Sequence, residues 1–249
     1  MLNKVCKLAR HAGSVIMKFY NSKESINVAY KLDNTPITNV DHEAHNIIKK
    51  GLFSINPNIP IISEEEIYNL DFCRHWKRYW LIDPLDGTKE FLKKNGEFTV
   101  NISLIEDDIP VLGVIYAPFF DVLYSSYKQK AWKEKKIGIK EKITVSHSKY
   151  LVIITSRSHP DKELKDYLAN IKDYQLKSLG SSLKFCLIAE GIGQIYPRFG
   201  STNIWDTAAG HAIVVAAGGK VQTWQGVELN YSLSSRSSFL NPGFCVSVF

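Results

Sequence analysis

Two carboxylates bracket a proline and a leucine in Ile82-Asp83-Pro84-Leu85-Asp86-Gly87-Thr88. Carboxylates and backbone carbonyls are the ligands that hard divalent cations take. The apolar run Trp80 to Ile82 reads as a strand entering a turn, followed by a helix. Pro84 would stiffen that turn and Gly87 would permit its tight backbone. Leu85 can offer a carbonyl beside Asp83 and Asp86, and Thr88 can cap the helix. The plain alternative is a strand–turn–helix junction in which both aspartates satisfy backbone amides.

Other acids bear on that choice. Ile61-Ile62-Ser63-Glu64-Glu65-Glu66 is a second apolar run ending in carboxylates, and three adjacent acids repel unless solvent or a cation relieves them. Glu64, nearest the strand, is the candidate ligand, whereas Glu65 and Glu66 read as a solvated strand end. Asp41 stands three residues after Thr38 in an acidic variant of a capping box, with Ile37 as its staple. A carboxylate at a helix start is already oriented for a second role. Asp206 opens a helix rich in small residues, as an N-cap or as a ligand shielded by Trp205.

These oxygen donors have no competing set of histidines and cysteines, which favours magnesium or manganese over zinc. Ions held by carboxylates suit displacement at phosphorus. Gly180-Ser181-Ser182-Leu183-Lys184 can present amides, hydroxyls and an ammonium to a phosphate at a helix start. Arg198 offers a fork for a second one.

The elements that must position these residues follow from periodicity. Residues 4–20 and 39–52 carry apolar side chains at helical spacing. Strand-like segments follow at 59–63, 79–82, 98–105, 111–116 and 121–127, and Asp107-Asp108 marks a hairpin turn. From about residue 143 strands alternate with helices, including one predicted from Pro160 to Ala169 and another over 182–190. This suggests an N-terminal unit, 1–138, and a smaller C-terminal α/β unit, 139–249.

The chain of 249 residues is 45% hydrophobic and rich in aromatics, which excludes a disordered protein. Its four cysteines lie far apart with no CxxC pair, as expected of reduced thiols. No apolar run approaches the ~20 residues that cross a bilayer, and the first ten residues lack a secretory pattern. The cytoplasm is therefore the expected compartment. Much of the net charge of +6 comes from Lys128 to Lys142, with seven lysines and two glutamates. That stretch reads as a solvated hairpin and linker, or as a surface that steers an anionic substrate or touches anionic lipid on the inner face of the membrane. It lacks the arginine and aromatic pattern of a nucleic-acid platform.

Taken in order, Glu64-Glu65, Asp83-Pro84-Leu85-Asp86-Gly87-Thr88 and Trp205-Asp206-Thr207-Ala208-Ala209-Gly210 resemble the lithium-sensitive, magnesium-dependent phosphomonoesterase superfamily of inositol monophosphatase and fructose-1,6-bisphosphatase. The resemblance spans essentially the whole chain. Within the superfamily, Asp33 to Thr38, Thr155 to His159, Gly180 to Cys186 and Tyr196 to Asp206 are similar to its 3′(2′),5′-bisphosphate nucleotidase branch. The resemblance implies an αβαβα layered sandwich with an antiparallel N-terminal sheet and a smaller C-terminal α/β half. It implies two or three magnesium ions, or manganese, on Glu64, Asp83, the Leu85 carbonyl, Asp86 and Asp206.

Asp41 and Thr88, assisted by Glu64, would then orient and activate the attacking water. Ser181, Lys184 and Arg198 would hold the nucleotide phosphates, with Gly87, Thr88 and Asp206 at the substrate and Ser156 and His159 in the nucleotide pocket. The implied reaction is hydrolysis of the 3′-phosphate of 3′-phosphoadenosine 5′-phosphate to AMP, with 3′-phosphoadenylyl sulfate as a related substrate. Inositol monophosphate or a sugar bisphosphate is the nearest alternative. A non-catalytic nucleotide- or RNA-binding module is the alternative of another class. A monomer and a homodimer both remain open.

Overall fold

The computed structural model describes residues 1–22, 28–30, 36–66, 68–158 and 163–249. Helix α1 (Leu2–Asn21) buries Val5, Ala9, Ala12, Ile16 and Tyr20, the single stripe that its 3.6-residue period prescribes. Strands β1 (Val28–Tyr30) and β2 (Pro36–Thr38) pair antiparallel, and β2 delivers the chain into α2 (Asn39–Ile55). The expected capping box starts α2, with Thr38 as N-cap and Asp41 closing it. Val40, Ala44, Ile48 and Leu52 then face inward.

After β3 (Ile61–Ser63) and the short α3 (Leu70–Cys73), strand β4 (Arg78–Asp86) leads to α4 (Thr88–Leu92). Strands β5 (Thr99–Glu106), β6 (Ile109–Ala117), β7 (Val122–Tyr127), β8 (Lys130–Lys136) and β9 (Ile139–Lys142) follow as a meander. These seven strands form one sheet in chain order, antiparallel throughout except for the parallel pair β3 and β4. Asp107 and Asp108 both take positive φ between β5 and β6, as a tight hairpin requires. The lysine-rich stretch is the β8–β9 hairpin at the sheet edge.

One local expectation fails here. Asp83 to Asp86 is not a turn: β4 continues through it, with a register shift against β5 between Asp83 and Asp86. A bulge re-aims side chains without ending a strand, so Pro84 lies where it costs no ladder bond. The chain turns only at Gly87, whose φ of 93° is left-handed. Gly87 is therefore the N-cap of α4 and Thr88 its first helical residue, so Thr88 does not cap the helix and its hydroxyl is free for other partners.

The second sheet begins beyond residue 142, with β10 (Leu151–Ser156). Then come α5 (Glu163–Ala169), β11 (Tyr174–Leu179), α6 (Leu183–Ala189), β12 (Ile195–Arg198), β13 (Thr202–Asn203) and α7 (Ile204–Ala216). Strands β14 (Lys220–Thr223), β15 (Leu240–Asn241) and β16 (Phe244–Ser247) complete the chain. The sheet order is β11-β10-β12-β16-β14, with β10 parallel to both neighbours, and β13 pairs with β15 separately. Helix α5 is described from Glu163, and the predicted start, Pro160 to Lys162, lies outside the described residues.

The layers are those expected of an αβαβα sandwich. Helices α1 and α2 cover one face of the seven-stranded sheet, burying Trp80, Ile82, Ile102 and Val114 with their own apolar stripes. Helices α6 and α7 fill the space between the two sheets, where residues of both halves share one core, among them Ile115, Tyr124, Phe185, Ile213 and Val246. Tyr167 of α5 packs against Phe199 and Trp224 on the far side. A Cβ at Gly113 would strike the Ala209 carbonyl, so glycine lets α7 lie directly on β6. Among the described residues no helix is long and apolar enough to cross a membrane.

Candidate active site

Parallel pairing places Ser63 beside Ile82, so Glu64, just past the end of β3, comes level with Asp83 inside β4. Glu64 donates its amide to the Ile82 carbonyl at 3.2 Å, which fixes that alignment. Helix α7 points its first turn at the same place. One carboxylate oxygen from each of Glu64, Asp83 and Asp206 lies within 4.8 Å of the other two.

These acids are held against their mutual repulsion. Asp206 accepts the Asn203 amide at 2.9 Å from the third helical position, so Asn203 rather than Asp206 is the N-cap. Asp83 is 1% exposed and accepts the Leu85 amide at 3.1 Å. Burial, then the charges of Glu64, Asp86 and Asp206, push its carboxyl well above the usual range. Burial followed by Asp86 and Glu64 does the same to Asp206. Asp86 is pushed up to about 6 by burial, which Lys184 opposes and Glu64 reinforces. Desolvated carboxylates this close must either hold protons or share a cation. A donor set made only of carboxylates, with the Leu85 carbonyl beside them, has the chemistry of a hard divalent site.

Asp41 serves a different partner. Its Oδ2 accepts the Thr38 amide at 2.8 Å and the Thr38 hydroxyl at 2.5 Å. Its Oδ1 accepts the Thr88 hydroxyl at 3.2 Å, and the Leu85 carbonyl lies equally near that hydroxyl. Burial raises the Asp41 carboxyl, the Thr38 bonds oppose it and the Glu64 charge adds to it.

The carboxylates open into a cleft of about 320 Å³ lined by residues of both sheets. Glu64, Asp83, Leu85, Asp86, Gly87, Thr88, Ser156, Ser181, Lys184, Arg198 and Asp206 all line it. Asp41 sits behind Thr88, and His159 and Asp33 lie outside the described residues. Lys184 is 7% exposed, donates to the Ser181 carbonyl at 2.5 Å and lies 5.6 Å from the Tyr196 ring centroid. Burial lowers its ammonium pKa, and Asp86 pulls it back up.

Two expectations change around the site. The Gly180 and Ser182 amides do not face an incoming anion: Gly180 donates to Glu97 Oε2 at 2.7 Å and Ser182 to Asp86 Oδ2 at 2.6 Å. Ser181, between them, has a left-handed φ of 49°. Glu66 is not a solvated strand end either. It is half-buried, accepts from Lys49 and Tyr68, and lies 3.4 Å from His45 Nε2, while His45 Nδ1 meets Ser63 Oγ at 2.8 Å. Asn101 escaped sequence reasoning: its Nδ2 donates to Asp86 Oδ2 at 3.2 Å and its Oδ1 accepts from Ser182 Oγ at 2.8 Å. Asn101 alternates with apolar residues just as Thr99 and Ser103 do, so only its register with Asp83 sets it apart.

The inositol monophosphatase family model matches residues 1–242. The 3′(2′),5′-bisphosphate nucleotidase CysQ of Buchnera aphidicola subsp. Acyrthosiphon pisum (strain APS) is 69% identical over 247 residues, 99% of this chain and 93% of that protein. The chain belongs to the inositol monophosphatase family, in its CysQ branch. The CysQ of Escherichia coli (strain K12) is 53% identical over the full length of both proteins. Among solved structures, CysQ from Bacteroides thetaiotaomicron superposes with a TM-score of 0.87 at 37% identity, covering 99% of this chain and 96% of that one. An inositol monophosphatase from Thermotoga maritima gives 0.80 at 26% identity, covering 98% and 90%. The αβαβα sandwich is thus the family fold, and the carboxylate cluster lies within the matched residues.

Proposed function

We propose that this chain hydrolyses the 3′-phosphate of 3′-phosphoadenosine 5′-phosphate to AMP and phosphate, with 3′-phosphoadenylyl sulfate as a related substrate. The observation that carries the reading is the meeting of Glu64, Asp83 and Asp206 oxygens within 4.8 Å, on the floor of a cleft that also holds Lys184 and Arg198. Identities of 69% and 53% to bisphosphate nucleotidases support the substrate class.

Glu64, Asp83, the Leu85 carbonyl, Asp86 and Asp206 would hold magnesium, in two or three ions, or manganese in its place. When bound, the metal would neutralise phosphate charge and supply an activated water. Thr88 donates its own hydrogen to Asp41 Oδ1, which leaves the hydroxyl a lone pair for the proton of the attacking water. The raised Asp41 carboxyl makes it a stronger base than an ordinary aspartate. Glu64 would orient the water from the opposite side. The Lys184 ammonium and the Arg198 guanidinium, with Ser181, would hold the nucleotide and its phosphates. Gly87 and Ser156 complete the wall, and the departing ribose oxygen would take its proton from water in the cleft.

The two halves, 1–138 and 139–249, would form opposite sides of this site. We assign the work to the cytoplasm, with at most loose contact between the β8–β9 lysines and anionic lipid. The test is magnesium-dependent phosphate release from adenosine 3′,5′-bisphosphate, inositol 1-phosphate and fructose 1,6-bisphosphate, repeated with lithium. The reading predicts a strong preference for the nucleotide and lithium inhibition. Equal rates on the nucleotide and inositol substrates would contradict it.

A further inference from the structure

Lys184 lines the cleft with its ammonium over the Tyr196 ring and hydrogen-bonded to the Ser181 carbonyl. That carbonyl belongs to a turn with Ser181 in the left-handed region, which a residue with a Cβ adopts only when its surroundings enforce it. The enforcement comes from the other half of the molecule. Asp86 holds the Ser182 amide, and Glu97, in the loop before β5, holds the Gly180 amide at 2.7 Å.

Glu97 is gripped in turn by Arg157, just beyond β10. Arg157 Nε reaches Glu97 Oε2 at 2.7 Å and Arg157 Nη2 reaches Glu97 Oε1 at 2.8 Å, a bidentate fork. The same Nη2 donates to the Ser178 carbonyl at 2.8 Å, so the fork also ties down the end of β11. Glu97 is only 14% exposed, against 47% for Arg157, so the carboxylate is the fixed member of the pair. A Cβ at Gly180 would press on Glu90 and the Glu97 carbonyl, which shows how closely the turn is seated.

We propose that Glu97 is a positioning residue for the second phosphate of the substrate: with Arg157 it fixes the Gly180–Ser182 turn whose Ser181 carbonyl aims Lys184. This rests on the functional reading above, in which Lys184 meets a phosphate. Among the described residues the Glu97 carboxylate bonds to Arg157 and the Gly180 amide and not to the clustered carboxylates, so its loss should weaken binding without slowing chemistry.

The experiment measures kcat and KM of the full chain at saturating magnesium, on adenosine 3′,5′-bisphosphate and on adenosine 3′-monophosphate. Glu97→Ala should raise KM for the bisphosphate about 10- to 100-fold, the scale of charge-assisted hydrogen bonds. Glu97→Gln and Arg157→Lys, which keep part of the bonding, should raise it by smaller factors. KM for the monophosphate and kcat for both substrates should stay within about twofold, because a substrate without the second phosphate does not need an aimed Lys184. Equal penalties on both substrates, or no penalty on either, would overturn the proposal. If Glu97→Ala fails to fold, the two conservative variants carry the same test. Lys184→Ala is the control. A bisphosphate-selective penalty there without one in the Glu97 and Arg157 variants defeats the positioning role alone, and its absence in Lys184→Ala defeats the functional reading.

Discussion

Helices α2 and α7 begin in the same way and end up doing different things. Each places an aspartate at its third position, Asp41 or Asp206, and each aspartate gives one oxygen to the N-cap amide, from Thr38 or from Asn203. The cap locks both side chains, so the second oxygen of each is aimed without further help. What it is aimed at differs. Asp41 faces the Thr88 hydroxyl, whereas Asp206 faces Asp83 and Glu64. On the function proposed above, one local motif would yield a proton acceptor in one place and a cation ligand in the other, and the neighbours make the difference.

The largest effect expected from that contrast is in Asp206→Asn. The amide can still accept the Asn203 N–H, so the helix start survives, but the cluster loses a charge. Metal assistance is worth several kcal/mol, so kcat/KM should fall about 10³-fold or more, with a weaker magnesium dependence. Asp41→Asn also keeps its cap, and should lower kcat about 10²-fold while leaving the magnesium titration midpoint unchanged. If the two variants shifted magnesium affinity alike, the distinction between base and ligand would collapse.

Protonation sharpens the comparison further. Asp86 has a folded value of about 6 against 3.8 for an unperturbed aspartate. The folded, magnesium-free protein therefore holds a proton that the unfolded chain has already released, and its stability falls as pH rises from about 4 through about 6. A divalent ion competes with those protons and removes the penalty. Magnesium should accordingly raise Tm more at pH 8 than at pH 5, by on the order of 5 °C, as differential scanning fluorimetry can read. A magnesium effect that is independent of pH would contradict the shared-cation account. The smallest effect belongs to Thr38→Ala, which removes a cap worth about 1 kcal/mol. It should also lower kcat a few-fold by loosening Asp41, with no change in magnesium midpoint.

What the sequence disclosed divides along the same line. The Thr38–Asp41 box was legible because its partners are three residues apart, and the β5–β6 hairpin because Asp107-Asp108 marks its turn. The bulge at Asp83 to Asp86 was not, since only pairing with β5 reveals that the strand continues past Pro84. Glu66 looked solvent-bound because Lys49, Tyr68 and His45 meet it only once α2 lies beside β3. The Gly180 and Ser182 amides looked available to an anion, because Glu97 and Asp86 reach them from more than 80 residues away in sequence. Candidate donor residues were readable from local spacing, whereas their second partners depended on tertiary contacts.

The most direct test of the central claim is the magnesium titration of phosphate release from adenosine 3′,5′-bisphosphate by Asp83→Asn beside the unaltered chain. Asp83 is the most enclosed member of the cluster and has no capping duty, so its charge has no other evident use. The account predicts folded protein with turnover reduced about 10³-fold. Full magnesium-dependent turnover by Asp83→Asn would contradict it.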